Sequence, residues 1–368
     1  MKLIETQRDA LLKPLQAVTG IVERKHTLPI LSNVLLERND RVLNLTATDL
    51  EIQVMTASDC AREGESIAIT VSARKLQDIL RSLPETALVS LEVSENRLHV
   101  KAERSRFNLQ TLPAQDFPRI AESTEPGASF SLPQGGFRHL LSLVQYAMAQ
   151  QDIRYYLNGL LLIVEEGTVT VVATDGHRLA LATLKTAEST PRQEVIVPRK
   201  AVVELTKLLT EGDEPVRIDV LGNQVRFGFG TTLLVSKVVD GKFPDYKRVI
   251  PAGHQKRFDI DRQVLLHALQ RAAILSNEKF RGVRWILSSS TLRIACTNTE
   301  QEEAQEEIEI DYQGDTLDIG FNVTYLTDVL SNLDAATVTC AMGDANSSTV
   351  FTVPGSEDFL YVVMPMRI

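Results

Sequence analysis

The chain has 368 residues and a formal net charge of −9. This length exceeds one ordinary domain and predicts two or three. No run of about 18 apolar residues is present, which argues against a membrane-spanning helix, and the acidic balance argues weakly against a nucleic-acid-binding protein. Because Glu5, Arg8 and Asp9 occupy the stretch that is apolar in a signal peptide, we expect a cytoplasmic protein.

The first predicted elements are a short strand in MKLIET (1–6) and a helix in 7–25, whose apolar residues recur at helical spacing. Pro14 lies in this window, which predicts that the helix begins near Pro14 or is kinked there. Alternating strands follow, and then a second strand, a helix and further strands repeat the order. The same succession starts again at ASFSLP (128–133) and at KRFDID (256–261).

A threefold repeat underlies this succession. The tripeptides ATD, ATD and CTN stand at 47–49, 173–175 and 296–298, and the later segments ITVSARKLQDIL, VIVPRKAVVELTKLL and IGFNVTYLTDVLSNL recur with a similar period. A period of roughly 125 residues is too long for a solenoid unit. The sequence therefore predicts an α+β protein of three similar domains, each made of two βαβββ-like halves, with boundaries at 1–125, 126–252 and 253–368.

Positive charge is concentrated on the predicted helices. Five of the six helix windows hold more Lys and Arg than Asp and Glu, although the whole chain is acidic. If the repeats close into a ring with the helices inside, the basic hole would attract duplex phosphates with little sequence readout. The alternative is that these residues only solvate the helices, in which case the protein would be a repeat scaffold that binds proteins and no DNA.

Two opposite charge runs occupy opposite ends of the repeat array. Residues 300–309 hold six Glu and no basic residue, whereas residues 97–106 are basic. This asymmetry predicts that two copies associate head to tail into a six-domain ring, with charge setting the orientation and apolar side chains supplying affinity. The predicted dimer-interface residues are Arg97, Arg104, Arg106, Phe107, Leu109, Ile274, Leu275, Glu300, Glu302 and Glu306.

Asp175 and His177 could form an acid–base pair, which is the alternative enzyme hypothesis. Such a pair usually needs a nucleophile, a metal or a third orienting group, and none is visible. Because the repeat places Leu50-Glu51 where this copy has Gly176-His177, Asp175 is assigned to the scaffold. We therefore predict no enzymatic activity.

The three cysteines, Cys60, Cys296 and Cys340, lie far apart without CxxC spacing. This pattern indicates buried small side chains, and neither a zinc site nor a disulfide framework. No metal and no cofactor are expected. Trp285, the single tryptophan, is predicted to lie in the core.

Several longer segments carry a family resemblance. They include KHTLPILSNVLLE (25–37), RSRFNLQTLPAQDFP (104–118), VVATDGHRLAL (171–181), DGKFPDYKRVIP (240–251) and YVVMPMRI (361–368). In these segments, and along its whole length, the chain resembles the bacterial DNA polymerase III beta subunits, the replicative sliding clamps. The resemblance implies the DNA-clamp fold and a ring-shaped homodimer that encircles duplex DNA, with helices lining the hole and sheets outside.

The resemblance also implies a tethering function without catalysis. The implied partners are the replicative polymerase catalytic subunit, the clamp loader, and other polymerases and repair proteins, which dock short peptides containing Gln together with Leu or Phe. The absence of a GxxxxGK[ST] loop fits an ATP site on the loader.

Site residues are carried over from the family position by position. The implied peptide-binding cleft consists of Leu157, Thr174, Gly176, His177, Arg178, Leu179, Pro244, Arg248, Val249, Asn322, Tyr325, Ser348, Val362, Val363, Met364, Pro365, Met366 and Arg367. The residues expected to face DNA are Arg24, Arg74, Lys75, Arg81, Tyr155, Tyr156, Arg199, Lys200, Lys207 and Arg281. Tyr155 and Tyr156 could stack on single-stranded bases, or they could simply pack.

Overall fold

The computed structural model describes residues 1–23, 27–60, 64–121, 123 and 127–367. Each of the three sequence repeats contains the same ten elements in the same order: strand, helix, four strands, helix, three strands. The α+β class and the paired βαβββ halves predicted from the sequence are confirmed.

The bounds of these elements follow the repeats. The first repeat contains β1 (Lys2–Gln7), α1 (Arg8–Thr19), β2 (Asn33–Asn39), β3 (Val42–Thr48), β4 (Ile52–Asp59), β5 (Ile67–Ser72), α2 (Ala73–Ser82), β6 (Leu88–Ser94), β7 (Arg97–Ala102) and β8 (Ser105–Pro113). The second contains β9 (Ala128–Pro133), α3 (Gln134–Ser142), β10 (Gly159–Glu165), β11 (Thr168–Thr174), β12 (Arg178–Lys185), β13 (Gln193–Pro198), α4 (Arg199–Leu208), β14 (Pro215–Val220), β15 (Gln224–Phe229) and β16 (Thr232–Lys237). The third contains β17 (Lys256–Asp261), α5 (Arg262–Ala273), β18 (Gly282–Ser288), β19 (Thr291–Thr297), β20 (Glu303–Glu309), β21 (Leu317–Asn322), α6 (Val323–Asn332), β22 (Thr337–Met342), β23 (Thr349–Thr352) and β24 (Phe359–Val363).

The helices begin where the sequence supplies capping groups or an apolar stripe. The Asp261 side chain accepts a hydrogen bond from Val264 N at the start of α5, and the Asn322 side chain accepts one from Thr324 N at the start of α6. Pro14 lies inside α1, so this helix does not begin at Pro14.

Contacts divide the chain into two compact units. The first comprises Met1–Gly135 with Val203–Val238, and the second comprises Gly136–Val202 with Val239–Ile368. The first unit contains a 12-stranded antiparallel sheet in the order β1-β6-β7-β8-β5-β2-β3-β4-β16-β15-β14-β9. In this sheet β4 pairs with β16, so strands from the first and second repeats form one continuous ladder.

The second unit has an 8-stranded sheet in the order β13-β10-β11-β12-β24-β23-β22-β17 and a 4-stranded sheet in the order β20-β19-β18-β21. Pairing of β12 with β24, with Arg178 opposite Val363, joins strands of the second and third repeats. This pairing brings the tail after β24 next to the turn before β12.

The core is mostly aliphatic, with one aromatic cluster in the third repeat. Trp285 is fully buried, as predicted, and packs against Phe321 and Phe351. Cys60, Cys296 and Cys340 are buried free thiols, also as predicted. Among the helices of the described residues, none is long and apolar enough to cross a membrane.

Candidate functional site

The turn between β11 and β12 is held by its own side chains. Asp175 Oδ1 accepts hydrogen bonds from the backbone N–H groups of His177 (2.9 Å) and Arg178 (3.1 Å), and Asp175 Oδ2 accepts one from Arg178 Nε (3.0 Å). Thr174 Oγ1 donates to the Arg178 carbonyl and accepts from Gly176 N. Both Asp175 oxygens are thus engaged in positioning the turn.

The same turn recurs between β3 and β4. There Asp49 Oδ1 accepts from Glu51 N and Ile52 N, and Thr48 Oγ1 donates to the Ile52 carbonyl. Since a turn with no histidine uses its aspartate in the same way, Asp175 belongs to the scaffold, as its place in the repeat predicted.

Gly176 occupies the one position of this turn that favours glycine. Its φ is +92°, and a Cβ atom there would lie 2.9 Å from Arg154 Nη1. Left-handed backbone is unfavourable for a residue with a Cβ atom. Glycine therefore meets both the turn geometry and the close approach of the Arg154 guanidinium.

Arg178 is the most constrained polar side chain of the site. Besides Asp175, its Nη1 donates to Asp328 Oδ2 at 2.6 Å and its Nη2 donates to the Tyr146 carbonyl at 2.7 Å. The guanidinium carbon lies 4.5 Å from the centre of the Tyr325 ring, which is a favourable cation–π distance. Only 10% of the side chain is exposed.

Charge and burial act in opposite directions on this arginine. Burial is the largest influence and would lower the pKa of Arg178, yet Tyr361, Asp328 and Asp175 together raise that pKa above its usual value. Burial also raises the pKa values of Tyr361 and Tyr325. Near neutral pH the site therefore holds a permanent cation among neutral phenols.

A cavity of about 380 Å³ opens beside this turn. It is lined by Arg154, Tyr156, Leu157, Thr174, Gly176, His177, Arg178, Leu179, Pro244, Asp245, Tyr246, Val249, Ser348, Val362 and Met364. Leu179 and Val362 belong to a buried apolar cluster with Phe243, and Tyr156 and Tyr246 pack against that cluster. The cavity thus combines an apolar floor with a few polar groups, which is typical of small-ligand and peptide sites.

The structure brings together most residues of the implied cleft. Eleven of them line the cavity: Leu157, Thr174, Gly176, His177, Arg178, Leu179, Pro244, Val249, Ser348, Val362 and Met364. Met364 N donates to the His177 carbonyl at 2.9 Å, which fastens the tail to the turn.

The other implied cleft residues lie outside the lining. Tyr325 supports Arg178 and stacks on His177 with ring centres 6.5 Å apart. Arg248 forms an exposed ion pair with Asp245, and Asn322 caps α6. The rest of this set is Val363, which is buried, and Pro365, Met366 and Arg367, which belong to the tail after β24.

Sequence reasoning missed Arg154, Asp245 and Tyr246 as cavity residues, and it assigned Tyr156 to DNA contact. Arg154 pairs with Asp152 at 2.8 Å and donates to the Asp175 carbonyl. The hydrogen bond from Arg154 lowers the pKa of Asp152 to about 2. Asp245 and Tyr246 lie in the segment DGKFPDYKRVIP that carried the family resemblance, next to the implied Pro244, and Arg154 and Tyr156 closely precede the implied Leu157; nearness in sequence to these implied cleft residues was the available signal.

The residues expected to face DNA differ in exposure. Arg74, Lys75, Arg81, Tyr155, Lys207 and Arg281 are exposed, whereas Tyr156, Arg199 and Lys200 are half-buried; Arg24 lies outside the described residues. Arg199 donates to the carbonyls of Met148 and Gln145, and burial, followed by the charge of Arg178, lowers its pKa. Lys207 pairs with Glu204 at 2.7 Å.

The predicted dimer-interface residues lie on the β7–β8 hairpin, at the C-terminal end of α5, and on β20 and the turn before it. Arg97, Arg104 and Arg106 are exposed on the β7–β8 hairpin, with Phe107 and Leu109 half-buried on β8. Ile274, at the C-terminal end of α5, is 77% exposed and Leu275 is half-buried. Glu300 and Glu302 are exposed, and Glu306 pairs with Arg271 at 2.5 Å.

Comparison with known proteins identifies the class. The family models for the N-terminal, central and C-terminal domains of the DNA polymerase III beta subunit match residues 1–121, 131–245 and 247–367. The chain therefore belongs to the DNA polymerase III beta subunit family and has the DNA-clamp fold. Sliding clamps of this family are processivity factors, so the protein is not an enzyme.

Individual relatives cover nearly the whole chain. The beta sliding clamp of Pseudomonas putida is 50% identical over 98% of this chain and 99% of its own length, and that of Escherichia coli K12 is 45% identical over the same shares. The crystal structure of the Pseudomonas aeruginosa clamp bound to griselimycin has a TM-score of 0.95 at 50% identity, covering 99% of each chain. The Caulobacter crescentus polymerase III beta structure has a TM-score of 0.93 at 38% identity, covering 100% of each chain.

The close approach at Gly176 generates a stability prediction. Gly176→Ala should lower the free energy of unfolding by more than the roughly 1–2 kcal/mol expected for left-handed backbone alone, because the Arg154 guanidinium must also move. Gly355→Ala is the matched control, since Gly355 has φ +74° and a Cβ atom there would meet no other atom within 4 Å. Urea unfolding of both variants checks this, and equal losses would contradict the Arg154 contact.

Proposed function

We propose that this protein is the replicative sliding clamp of its organism, acting as a ring of two copies around duplex DNA. Its task is to tether the polymerase to the template, which raises the effective concentration of the polymerase at the primer end. The proposed domains are 1–125, 126–252 and 253–368, and the proposed location is the cytoplasm. The relatives give no support to the alternative of a repeat scaffold that binds no DNA.

The observation that carries the proposal is a strand pairing between repeats. It is formed at two of three equivalent places in the chain, and at the third both strands leave an edge open. In the first unit β4 pairs with β16, and in the second β12 pairs with β24. In the third repeat the equivalent of β4 and β12 is β20, which ends its sheet with β19 as its partner among the described strands. The equivalent of β16 and β24 is β8, whose residues 105–110 pair with β7 on one side.

Two copies can close both open edges at once. If β20 of one copy pairs with β8 of the other, the third junction repeats the first two, and the exposed edges are removed. Three domains per copy and six equivalent junctions then give a closed ring. The exposed Ile274 and the opposite charges of the two edges support this assignment.

The register of the third junction follows from the first. Val235 lies opposite Gln53 in the β4–β16 pair. The β7–β8 and β15–β16 hairpins each have a two-residue turn, so counting from the turn makes Asn108 of β8 equivalent to Val235 of β16. Thr48 and Thr297 are equivalent in the repeat, and they lie opposite Gln53 and Glu303 in the β3–β4 and β19–β20 pairs, so Glu303 is equivalent to Gln53. Asn108 of one copy is therefore proposed to lie opposite Glu303 of the other.

Inside such a ring the helices would present their basic residues to DNA. The proposed DNA-facing residues are Arg24, Arg74, Lys75, Arg81, Tyr155, Tyr156, Lys200, Lys207 and Arg281; Arg199 is left out because its guanidinium binds the carbonyls of Gln145 and Met148. Contacts with phosphates position a duplex without reading its sequence, which suits a protein that must slide. Retention then comes from closure of the ring, and the net charge of −9 does not oppose it.

The cavity beside the β11–β12 turn is the proposed docking site for partner peptides. The peptides would contain Gln with Leu or Phe, and they would come from the polymerase catalytic subunit, the clamp loader, other polymerases and repair proteins. The apolar floor of Leu179 and Val362 suits such side chains, and Met364 can adapt its shape to different ones. The griselimycin-bound relatives are also consistent with a ligand site in this family.

A cysteine pair tests the dimer register. Asn108→Cys combined with Glu303→Cys should yield a covalently closed dimer under mild oxidation, because residues directly opposite in antiparallel strands are about 4.5–5.5 Å apart at Cα, within disulfide range. Asn108→Cys with Gln305→Cys is the control, displaced by about 7 Å along the strand. The native thiols are buried. Non-reducing electrophoresis reads the result, and equal cross-linking of both pairs would refute this register.

Retention on DNA tests encirclement. A clamp loaded onto nicked circular DNA should remain bound at high salt, because escape requires the ring to open, whereas phosphate contacts alone weaken steeply with salt. Linearising the circle should release the clamp. Gel filtration of labelled clamp, before and after linearisation, measures the fraction that stays with the DNA. If circular and linear DNA lose the clamp equally fast, encirclement is wrong.

A deletion and a point variant test the cleft. Removing Met364–Ile368 should abolish peptide binding and leave dimerisation intact, because the tail forms one wall of the cavity. His177→Ala should cost roughly 1 kcal/mol, as expected of a contact outside a central hot spot. Fluorescence anisotropy of a labelled peptide containing Gln, Leu and Phe provides the measurement. Undiminished affinity in the truncated protein would defeat the assignment of the cleft.

A further inference from the structure

We infer that Asp328, on α6, is a positioning residue of the peptide-binding cleft, which acts by holding Arg178 in the cavity wall. The inference rests on the proposed function of the cavity. Asp328 is not among the described residues that line the cavity, and neither the repeat nor the family resemblance pointed to it. Its connection with the site runs through one hydrogen bond, from Arg178 Nη1 to Asp328 Oδ2 at 2.6 Å.

The hydrogen bonds of Arg178 show why one carboxylate matters. Each of its three side-chain nitrogens donates to a different acceptor: Nε to Asp175, Nη1 to Asp328 and Nη2 to the Tyr146 carbonyl. These acceptors surround the planar guanidinium, and Tyr325 covers its face. An arginine held on all sides presents a fixed surface to a ligand, so little rotamer entropy is lost when a peptide binds.

The equivalent position in the first unit shows what is particular to this site. Asp328 is the sixth residue of α6, and Glu204 is the sixth residue of α4. The Glu204 carboxylate accepts a hydrogen bond from Lys207 Nζ, and it lies so close to Gly20 that a Cβ atom there would overlap it. The residue equivalent to Arg178 in that unit is Ile52. Both units thus have an acidic residue at this helix position. In the second unit, beside the cavity, that residue is Asp328 and it accepts a hydrogen bond from an arginine.

The consequence of losing the carboxylate can be followed through the contacts. Without the Asp328 carboxylate, Nη1 loses its charged acceptor on α6, and the hydrogen bonds of Nε and Nη2 are left to hold the guanidinium beside the Tyr325 ring. Tyr325 also stacks on His177, which lines the cavity beside Arg178. A change at Asp328 therefore alters two lining residues while removing no atom from the lining itself.

Charge gives the proposal a signature that loss of packing would not produce. Asp175, Arg178 and Asp328 form a group with two carboxylates and one guanidinium, so Asp328→Asn removes a negative charge next to the cavity. Opposite charges attract and like charges repel more strongly in a partly buried site than in water. An acidic peptide should consequently gain affinity relative to a neutral peptide in this variant.

The experiment titrates wild type, Asp328→Asn and Asp328→Glu with two labelled peptides. Both contain Gln, Leu and Phe, and they differ only by Asp or Asn next to the apolar residues. For the neutral peptide, Asp328→Asn should weaken binding about tenfold, whereas Asp328→Glu, which keeps the charge, should stay within about threefold of wild type. The ratio of affinities for the acidic and neutral peptides should rise in Asp328→Asn. Asp334→Asn, an exposed acid just beyond the same helix, is the matched control and should bind both peptides like wild type.

A double-mutant cycle separates action through Arg178 from action by another route. In an Arg178→Met background, adding Asp328→Asn should produce no further loss of affinity, because the residue to be positioned is absent. An equal loss in both backgrounds, or wild-type affinity in Asp328→Asn, overturns the inference. Failure of the wild-type protein to bind either peptide would instead overturn the proposed function of the cavity. Melting curves of each variant show that it is folded, and Asp328→Ser, which also removes the carboxylate, carries the test if Asp328→Asn is not.

Discussion

The antiparallel pairing of β12 with β24 is the interaction on which the site depends. Strands separated by about one and a half repeats of the sequence are joined here by main-chain hydrogen bonds, with Arg178 opposite Val363. Edge strands carry unpaired N–H and C=O groups that must be paired or protected. Because this requirement is met by backbone atoms, the junction can recur with different side chains, and each occurrence can acquire its own surface.

The side chains at the junction divide into those that shape the turn and those that shape the cavity. Asp175 and Thr174 hold the turn, and the pair Asp49 and Thr48 does the same in the first repeat. His177 is exposed and stacks on Tyr325. The acid and the histidine that suggested catalysis therefore have separate structural tasks, and the family confirms that no reaction is catalysed.

Much of this was accessible from the sequence because a repeat reveals equivalence. The order of strands and helices, the scaffold role of Asp175 and the buried cysteines all followed from patterns in the chain. The conformation of Arg178 did not, because its acceptor Asp328 is 150 residues away and no local pattern links them. Arg199 is similar: a basic residue at the start of a helix suggests a ligand contact, yet its guanidinium binds the carbonyls of Gln145 and Met148. Local sequence indicates which side chains are charged, whereas tertiary structure decides which of those charges are already used.

The two completed junctions explain why one of them provides a cavity of this kind. The backbone hydrogen bond from Met364 N to the His177 carbonyl has its counterpart in the bond from Lys237 N to the Glu51 carbonyl, and both are 2.9 Å long. In the first unit the side chains continue this contact, since Lys237 Nζ lies 3.1 Å from Glu51 Oε1 and forms an ion pair along the junction. At the equivalent positions of the second unit, Met364 and His177 form no such pair in the part of the chain that is described, and both line the cavity. The two junctions have the same backbone arrangement. In the second unit Met364 and His177 replace the Lys237–Glu51 ion pair of the first, and the apolar surface that they leave is available to a partner.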